Sequence, residues 1–336
     1  MSDRPFFTVG IPTYNRAHCV GRAISIVLNQ SFSDLELIVA DNASDDNTPE
    51  VVKSFDDHRL RYVRHDRNLG PTKNACFTAA EARGEFYVLY QDDDLLHHAF
   101  LERCHDSVRE MPEAVMYAAP AWIGAPHRGF QASLMPEWAA GNTAFALAGR
   151  PVVVDGTRFA ATFLYTAHFY HPGVAMRMSA LRDVGGICDD DECAADILTQ
   201  AKVLCRGKLV FDPRIGCLMH SRHGTNVHRS MPRALRLRRA RNRMHGVVEW
   251  LDREGVDWRR IVAEDLRRYD LRQRLRFFSE FIRYDAPPAL QRIGWRSIME
   301  EEGRSPRWLM TRMLSRVGPR KLLRFARASL RRADGK

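Results

Sequence analysis

The sequence predicts an α/β fold, a mostly parallel sheet flanked by helices, followed by an all-helical basic region. Three observations carry that expectation. From Phe6 to Ile123, short β-rich apolar runs alternate with stretches of helical periodicity, the rhythm of parallel strands joined by crossover helices. Beyond Met231 every segment reads as helix. The charge divides near the same point: residues 229–336 hold 29 Lys+Arg against 13 Asp+Glu, and the remainder holds 22 against 28.

The strands expected first are Phe6–Pro12, Leu35–Ala40, Leu60–Arg64, Phe86–Tyr90 and Ala114–Ala118. Between the first two, Val20, Ala23, Ile24, Val27 and Leu28 recur at helical spacing, which predicts a helix over Ala17–Gln30. Thr48–Phe55 and Thr72–Arg83 each open on a capping residue and read as the next helices. From Gly124 to Asp155 periodicity disappears while Pro and Gly accumulate, so an irregular or lid-like segment is expected. A helix at Thr157–Tyr165, a strand at Gly173–Met178, a helix at Cys193–Cys205 and a strand at Lys208–Asp212 follow. The basic region reads as helices over Arg233–Glu254, Trp258–Tyr284, Leu290–Glu302 and Arg307–Leu330, broken by Gly255, Pro287-Pro288, Pro306 and Gly318-Pro319. The expected domains are 1–228, with halves of about 1–123 and 124–228, and 229–336.

With 45% hydrophobic and 27% charged residues in 336, the chain has a globular composition, which excludes collagen-like, low-complexity and mainly disordered classes. No run approaches the roughly 18 apolar residues of a spanning helix, and Met1–Arg4 enters Phe6-Phe7-Thr8-Val9 without a signal-peptide core. A cytoplasmic location is expected. Seven scattered cysteines with no Cys-x-x-Cys pair suggest neither a disulfide framework nor a zinc ribbon.

Chemistry is concentrated at Gln91-Asp92-Asp93-Asp94, directly after an apolar strand. Three adjacent acids repel one another, and a divalent cation is the simplest compensation; the competing reading is a solvated turn capping a helix after Leu95. In a parallel sheet ligands bind at the carboxyl ends of the strands. There strand one runs into Pro12-Thr13-Tyr14-Asn15-Arg16, strand two into Asp41-Asn42-Ala43-Ser44-Asp45-Asp46, and strand three into His65-Asp66-Arg67-Asn68-Leu69-Gly70. Tyr14 offers an aromatic face, Asp41 an acceptor for base or ribose, and Lys73, in a helix's first turn, a cation for a diphosphate. Asn68-Leu69-Gly70 alone is also ordinary turn chemistry.

These stretches resemble the inverting glycosyltransferases of family two, which have the GT-A fold. The resemblance rests on Val9-Gly10-Ile11-Pro12-Thr13-Tyr14-Asn15-Arg16, Leu37–Asp46, Asn68–Asn74 with Ala82-Arg83-Gly84-Glu85, and Gln91–Leu96, in family order. It implies that Thr13 and Tyr14 contact the nucleotide, that Asp41 meets base or ribose, and that Lys73 lies near the diphosphate. It also implies that the acids carry Mg²⁺ or Mn²⁺. Two alignments stand: Asp93-Asp94-Leu95-Leu96 matches the usual ending with Gln91 in the first acidic position, or the motif is Asp92 to Asp94 itself. The donor implied is a nucleoside diphosphate sugar, UDP or dTDP; the acceptor, a hydroxyl or amine, is not readable.

An inverting transfer needs a carboxylate to take the acceptor's proton. The resemblance puts it after Gly185-Gly186, where Asp196 matches the family base, with Asp191 or Glu192 as alternatives; a helix-capping role for Asp196 is the competing reading. His220-Ser221-Arg222-His223-Gly224 resembles the family's basic motif, which implies Arg222 on phosphate and His223 on the metal. His97-His98 reads as helix surface, with a metal or acceptor role as the alternative because the acids are adjacent. The cationic stretch Arg307–Phe325 admits packing on the chain or on a second subunit, contact with an anionic membrane face, or nucleic acid. Two competing functions are a sugar nucleotidyltransferase, which would release pyrophosphate, and a nucleic-acid-binding protein acting through the basic tail.

Overall fold

The computed structural model describes residues 4–125, 129–134, 149–165, 169, 171–187, 195–220, 232–269 and 271–299. The chain divides into two compact units, Met1–Ser230 and Met231–Lys336.

In the first unit the strands are β1 Phe7–Thr13, β2 Leu35–Asp41, β3 Leu60–Arg64, β4 Phe86–Leu89, β5 Leu95–Leu96, β6 Ala114–Ala118, β7 Ala121–Ala125, β8 Gly129–Leu134, β9 Val152–Asp155, β10 Val174–Arg177, β11 Lys208–Phe211 and β12 Cys217–His220. The helices are α1 Val20–Leu28, α2 Thr48–Lys53, α3 Pro71–Ala80, α4 Phe100–Val108, α5 Gly156–Thr162, α6 Met178–Asp183 and α7 Ala195–Leu204, with a 3₁₀ turn at His171–Gly173. Eight strands form the main sheet in the order β3-β2-β1-β4-β10-β6-β11-β9, and β5-β12-β7-β8 form a second. The β3-β2-β1-β4 block is parallel throughout. β10 runs antiparallel to both β4 and β6, so a strand from the second half of the unit completes the first half's sheet.

β1 and β2 are apolar almost without interruption because helices cover both faces of a parallel sheet. α1 buries Val20, Ala23, Ile24 and Val27, and these meet Val9, Ile11, Leu37 and Val39 in the main core. At the amino ends of the strands, Glu36 accepts from Thr8 Oγ1 at 2.6 Å and from Arg83 N, Nε and Nη2 at 2.6, 2.9 and 2.9 Å. Gly84 N donates to Thr8 Oγ1, and a Cβ on Gly84 would fall 2.4 Å from Thr8 N. The Ala82-Arg83-Gly84-Glu85 motif is therefore a clamp at the edge opposite the acidic turn.

Three expectations are corrected. The segment 124–155 is not wholly irregular: Ala121–Ala125 and Gly129–Leu134 form a hairpin and Val152–Asp155 pairs with β11. AWIGA lacks two-residue alternation and pairs with β12, distant in sequence, whereas Phe130 to Leu134 alternate and pair locally with β7. No helix starts at Leu95, because Leu95 and Leu96 pair with Leu218 and Cys217. Trp258–Tyr284 is two helices rather than one.

In the second unit the helices are α8 Arg233–Arg253, α9 Trp258–Arg267, α10 Leu271–Arg283 and α11 Pro288–Met299. Val247, Leu251, Trp258, Val262, Phe277, Phe278, Phe281 and Leu290 are buried. The Asp257 side chain caps α9 by accepting from Arg260 N at 3.3 Å, and Asp252 accepts from Trp258 Nε1 at 2.8 Å. Arg307–Leu330 lies outside the described residues. Among the described residues no helix is long and apolar enough to cross a membrane.

Candidate active site

Sheet register brings the strand ends together: Thr13 lies beside Asp41, Asp41 beside Arg64, and Gly10 beside Leu89. Beyond these ends, Thr13 Oγ1 donates to Asp92 Oδ2 at 2.7 Å, and Arg16 Nε stands 3.6 Å from Asp92 Oδ1. The acidic turn is thus joined to the turn after β1, across 79 residues of sequence.

Asp92 is 6% exposed. Burial pushes its carboxyl up to about 6; Thr13 and Arg16 oppose that shift, and the charge of Asp93 adds to it. Asp93 is partly exposed, and its carbonyl accepts from Arg22 Nη2 at 3.2 Å. Asp94 is buried, its carbonyl accepting from the Tyr90 hydroxyl at 2.8 Å. The three acids therefore occupy three environments.

The remaining expected residues separate into presented and structural groups. Tyr14 is 44% exposed, its ring uncovered beside the acidic turn's partner Thr13. Asn15 has φ 54°, and its side chain accepts from Asp45 N at 2.9 Å, while Asn15 N donates to Ser44 Oγ, Arg16 N to Thr48 Oγ1 and Ala17 N to Asp46 Oδ2. The turn after β1 is held by the turn after β2. Pro12 lies within β1, opposite Ala40. Asp41 is 0% exposed and accepts from Ser44 N at 2.8 Å and the Tyr62 hydroxyl at 2.7 Å, with Arg64 Nε at 3.6 Å. Asn68 accepts from Asn42 Nδ2 and Gly70 N, so it fastens its own turn. Gly70, at φ 88°, supplies the left-handed step into α3. Lys73 is exposed in the first turn of α3.

Asp196 lies in the first turn of α7, partly exposed. His171 is 5% exposed; burial holds it below the ordinary imidazole value while the charge of Asp196 pulls the other way. The motifs gave no signal for the proximity of His171 to the charge of Asp196, nor for Arg22 beside Asp93 or Asn74, which donates to Ala40 O at 2.8 Å. Asp191, Glu192, Arg222 and His223 lie outside the described residues.

Among the described residues no three His, Cys, Asp or Glu side chains converge to hold an ion. The donor set nonetheless fits a hard cation bound through one or two carboxylates, with a ligand's phosphates supplying the other oxygens. A buried carboxyl raised to about 6 beside a second acid is what such a cation would relieve.

Comparison with known proteins follows the same lines. The family described as glycosyl transferase family 2 matches residues 8–185. A GalNAc(5)-diNAcBac-PP-undecaprenol beta-1,3-glucosyltransferase of Campylobacter jejuni is 39% identical over 95 residues, 27% of this chain and 31% of that protein. The Escherichia coli UDP-Glc:alpha-D-GlcNAc-diphosphoundecaprenol beta-1,3-glucosyltransferase WfgD is 32% identical over 93 residues, 28% of this chain and 37% of that one. The chain thus spans about a third of the length of these curated relatives. Among solved structures, S. aureus TarS 1-349 with UDP superposes with TM-score 0.61 at 15% identity, covering 93% of this chain and 89% of TarS 1-349. The mannosyltransferase PcManGT of Pyrobaculum calidifontis, with GDP-Man and Mn²⁺, gives 0.51 at 18% identity, covering 98% and 81%. Matched over more than half its length and carrying the GT-A fold, the chain belongs to glycosyl transferase family 2.

Proposed function

We propose that this glycosyltransferase moves a sugar, with inversion, from a UDP- or dTDP-linked donor to an acceptor hydroxyl or amine at the cytoplasmic membrane face. The observation that carries the reading is the buried Asp92 carboxylate tied to Thr13 at the strand ends, beside an exposed tyrosine ring. Tyr14 stacks on the base, Lys73 approaches the diphosphate, and Asp93, with Asp92 or Asp94, faces the cation. When bound, Mg²⁺ or Mn²⁺ stabilises the charge of the departing nucleoside diphosphate. Asp196 takes the proton from the acceptor, whose oxygen or nitrogen attacks the anomeric carbon opposite the leaving group. Asp41, with its carboxylate held by two hydrogen-bond donors and the nearby charge of Arg64, positions the nucleotide turn or accepts from the ribose through its remaining lone pairs. Arg222 and His223 are assigned to phosphate and metal on family resemblance, and Asp191 or Glu192 is the alternative base to Asp196. The two relatives named for diphosphoundecaprenol-linked substrates support an acceptor presented on a lipid carrier.

Thermal-shift titration with UDP, dTDP and GDP, with and without Mn²⁺, tests the donor site, since a ligand that binds only the native state raises its stability. A cation-dependent shift with UDP or dTDP, lost in Asp93→Ala, is expected. Equal shifts in wild type and variant would remove Asp93 from the site.

A further inference from the structure

Away from the strand ends, the helical unit contains a groove of about 350 Å³ between α9 and α11. Arg259 and Arg267 of α9 face Arg292 and Arg296 of α11 across it, and Ala263, Ala289 and Ile293 contribute apolar surface between them. The spacing is helical: 259, 263 and 267 share one face of α9, and 289, 292, 293 and 296 one face of α11. Among the described residues no carboxylate and no aromatic ring lines the groove.

The four guanidinium groups are not equally engaged. Arg259 pairs with Asp252 at 2.8 Å and lies 4.5 Å over the Trp258 ring, so one end of the row is anchored. Arg292 and Arg296 are exposed and have no acidic partner among the described residues. Arg292 and Arg296, one turn apart on α11, repel one another; an anion in the groove would relieve that repulsion, and the planar guanidinium fork matches phosphate oxygens.

We propose that this groove binds the phosphodiester headgroup of an anionic phospholipid. The apolar surface between the arginines suits the glycerol and first methylenes of a lipid, whereas a free phosphate would leave it uncovered. Among the described residues the groove offers no aromatic ring, which disfavours single-stranded nucleic acid, since that ligand gains affinity by stacking bases. The unit's charge, 28 Lys+Arg against 13 Asp+Glu over residues 231–336, provides the long-range attraction to an anionic surface. The binding site goes beyond the transfer reaction and does not depend on it.

The test is co-sedimentation of the full-length protein with vesicles of phosphatidylcholine alone or mixed with phosphatidylglycerol. Wild type is expected on the phosphatidylglycerol vesicles only. Arg292→Glu/Arg296→Glu is expected to weaken that binding about tenfold or more, since each basic residue near an anionic surface contributes substantially. A charge-matched control on α8, Arg238→Glu/Arg253→Glu, is expected to lose clearly less. Equal loss in both pairs would overturn the groove in favour of diffuse attraction. Circular dichroism melting verifies the fold, and Arg292→Gln/Arg296→Gln replaces the first pair if it does not fold. Failure of wild type to bind phosphatidylglycerol vesicles overturns the proposal. Stabilisation by inorganic phosphate, or binding of a short RNA, through these arginines would then identify the anion instead. Thermal shift with UDP and Mn²⁺ reads the donor site separately in every variant.

Discussion

Glu36 and Asp92 are buried to the same degree, 5% and 6% exposed, at opposite edges of one sheet, yet their carboxyls are shifted in opposite directions. Burial raises both. For Glu36 it is outweighed by Thr8 and by the backbone and guanidinium of Arg83, so the group is held below its ordinary value. For Asp92 one hydroxyl and one arginine at 3.6 Å do not offset burial and a neighbouring acid, and the group rises to about 6. The amino edge is a finished ion pair serving the fold. The carboxyl edge has charge left to neutralise, which is the usual electrostatic mark of a functional site.

The largest effect expected at the carboxyl edge is on chemistry. Asp196→Asn should retain the cation-dependent nucleotide shift and lose turnover by about two or more orders of magnitude, the scale of a lost general base. Glu36→Gln should leave turnover per folded molecule nearly unchanged; a comparable fall in single-turnover rate there would erase the distinction between the two edges.

Stability should reverse the ranking. Glu36→Gln places an amide against Arg83 and is expected to cost about 1–3 kcal/mol by urea unfolding at pH 7, the penalty for a buried polar group left badly paired. Asp92→Asn keeps an acceptor for Thr13 and removes an under-compensated charge, so its urea midpoint should equal or exceed that of wild type. A large loss in Asp92→Asn would show that the Arg16 contact is stronger than its 3.6 Å separation implies.

The smallest effect is the pH slope, and its sign differs between the edges. Glu36 titrates lower in the native state than unfolded, so its contribution is present above about 4.5 and is lost as pH falls through the native value. Asp92 keeps its proton to about 6 in the native state against 3.8, so its contribution declines as pH rises between those values. Unfolding midpoints across pH 4 to 6 should decline less in Asp92→Asn than in wild type. Identical slopes would mean that Asp92 is not raised.

Much of this site was legible because its parts are local. Strand ends, turn residues and the acidic run are each readable within a few positions, and the parallel register of β1 to β4 follows from the crossover rhythm. The motif residues did not reveal their partners. Arg83 reads as family pattern, and only the fold shows it clamping Glu36, 47 positions away. Asp41 reads as a presented acid, and Tyr62 and Ser44 hold it at 0% exposure. Strand β7 is hard to read because AWIGA has no two-residue alternation and takes its state from β12, far along the chain.

The place of β10 in the sheet has a consequence during synthesis. Tyr87 meets Met176 across β4 and β10, so the strand leading into the acidic turn keeps an unpaired flank on the nascent chain until 89 further residues have left the ribosome. An exposed, fully apolar FYVL edge of that kind invites pairing with other chains. Expression of residues 1–123 as a separate fragment should therefore demand a chaperone or yield aggregates.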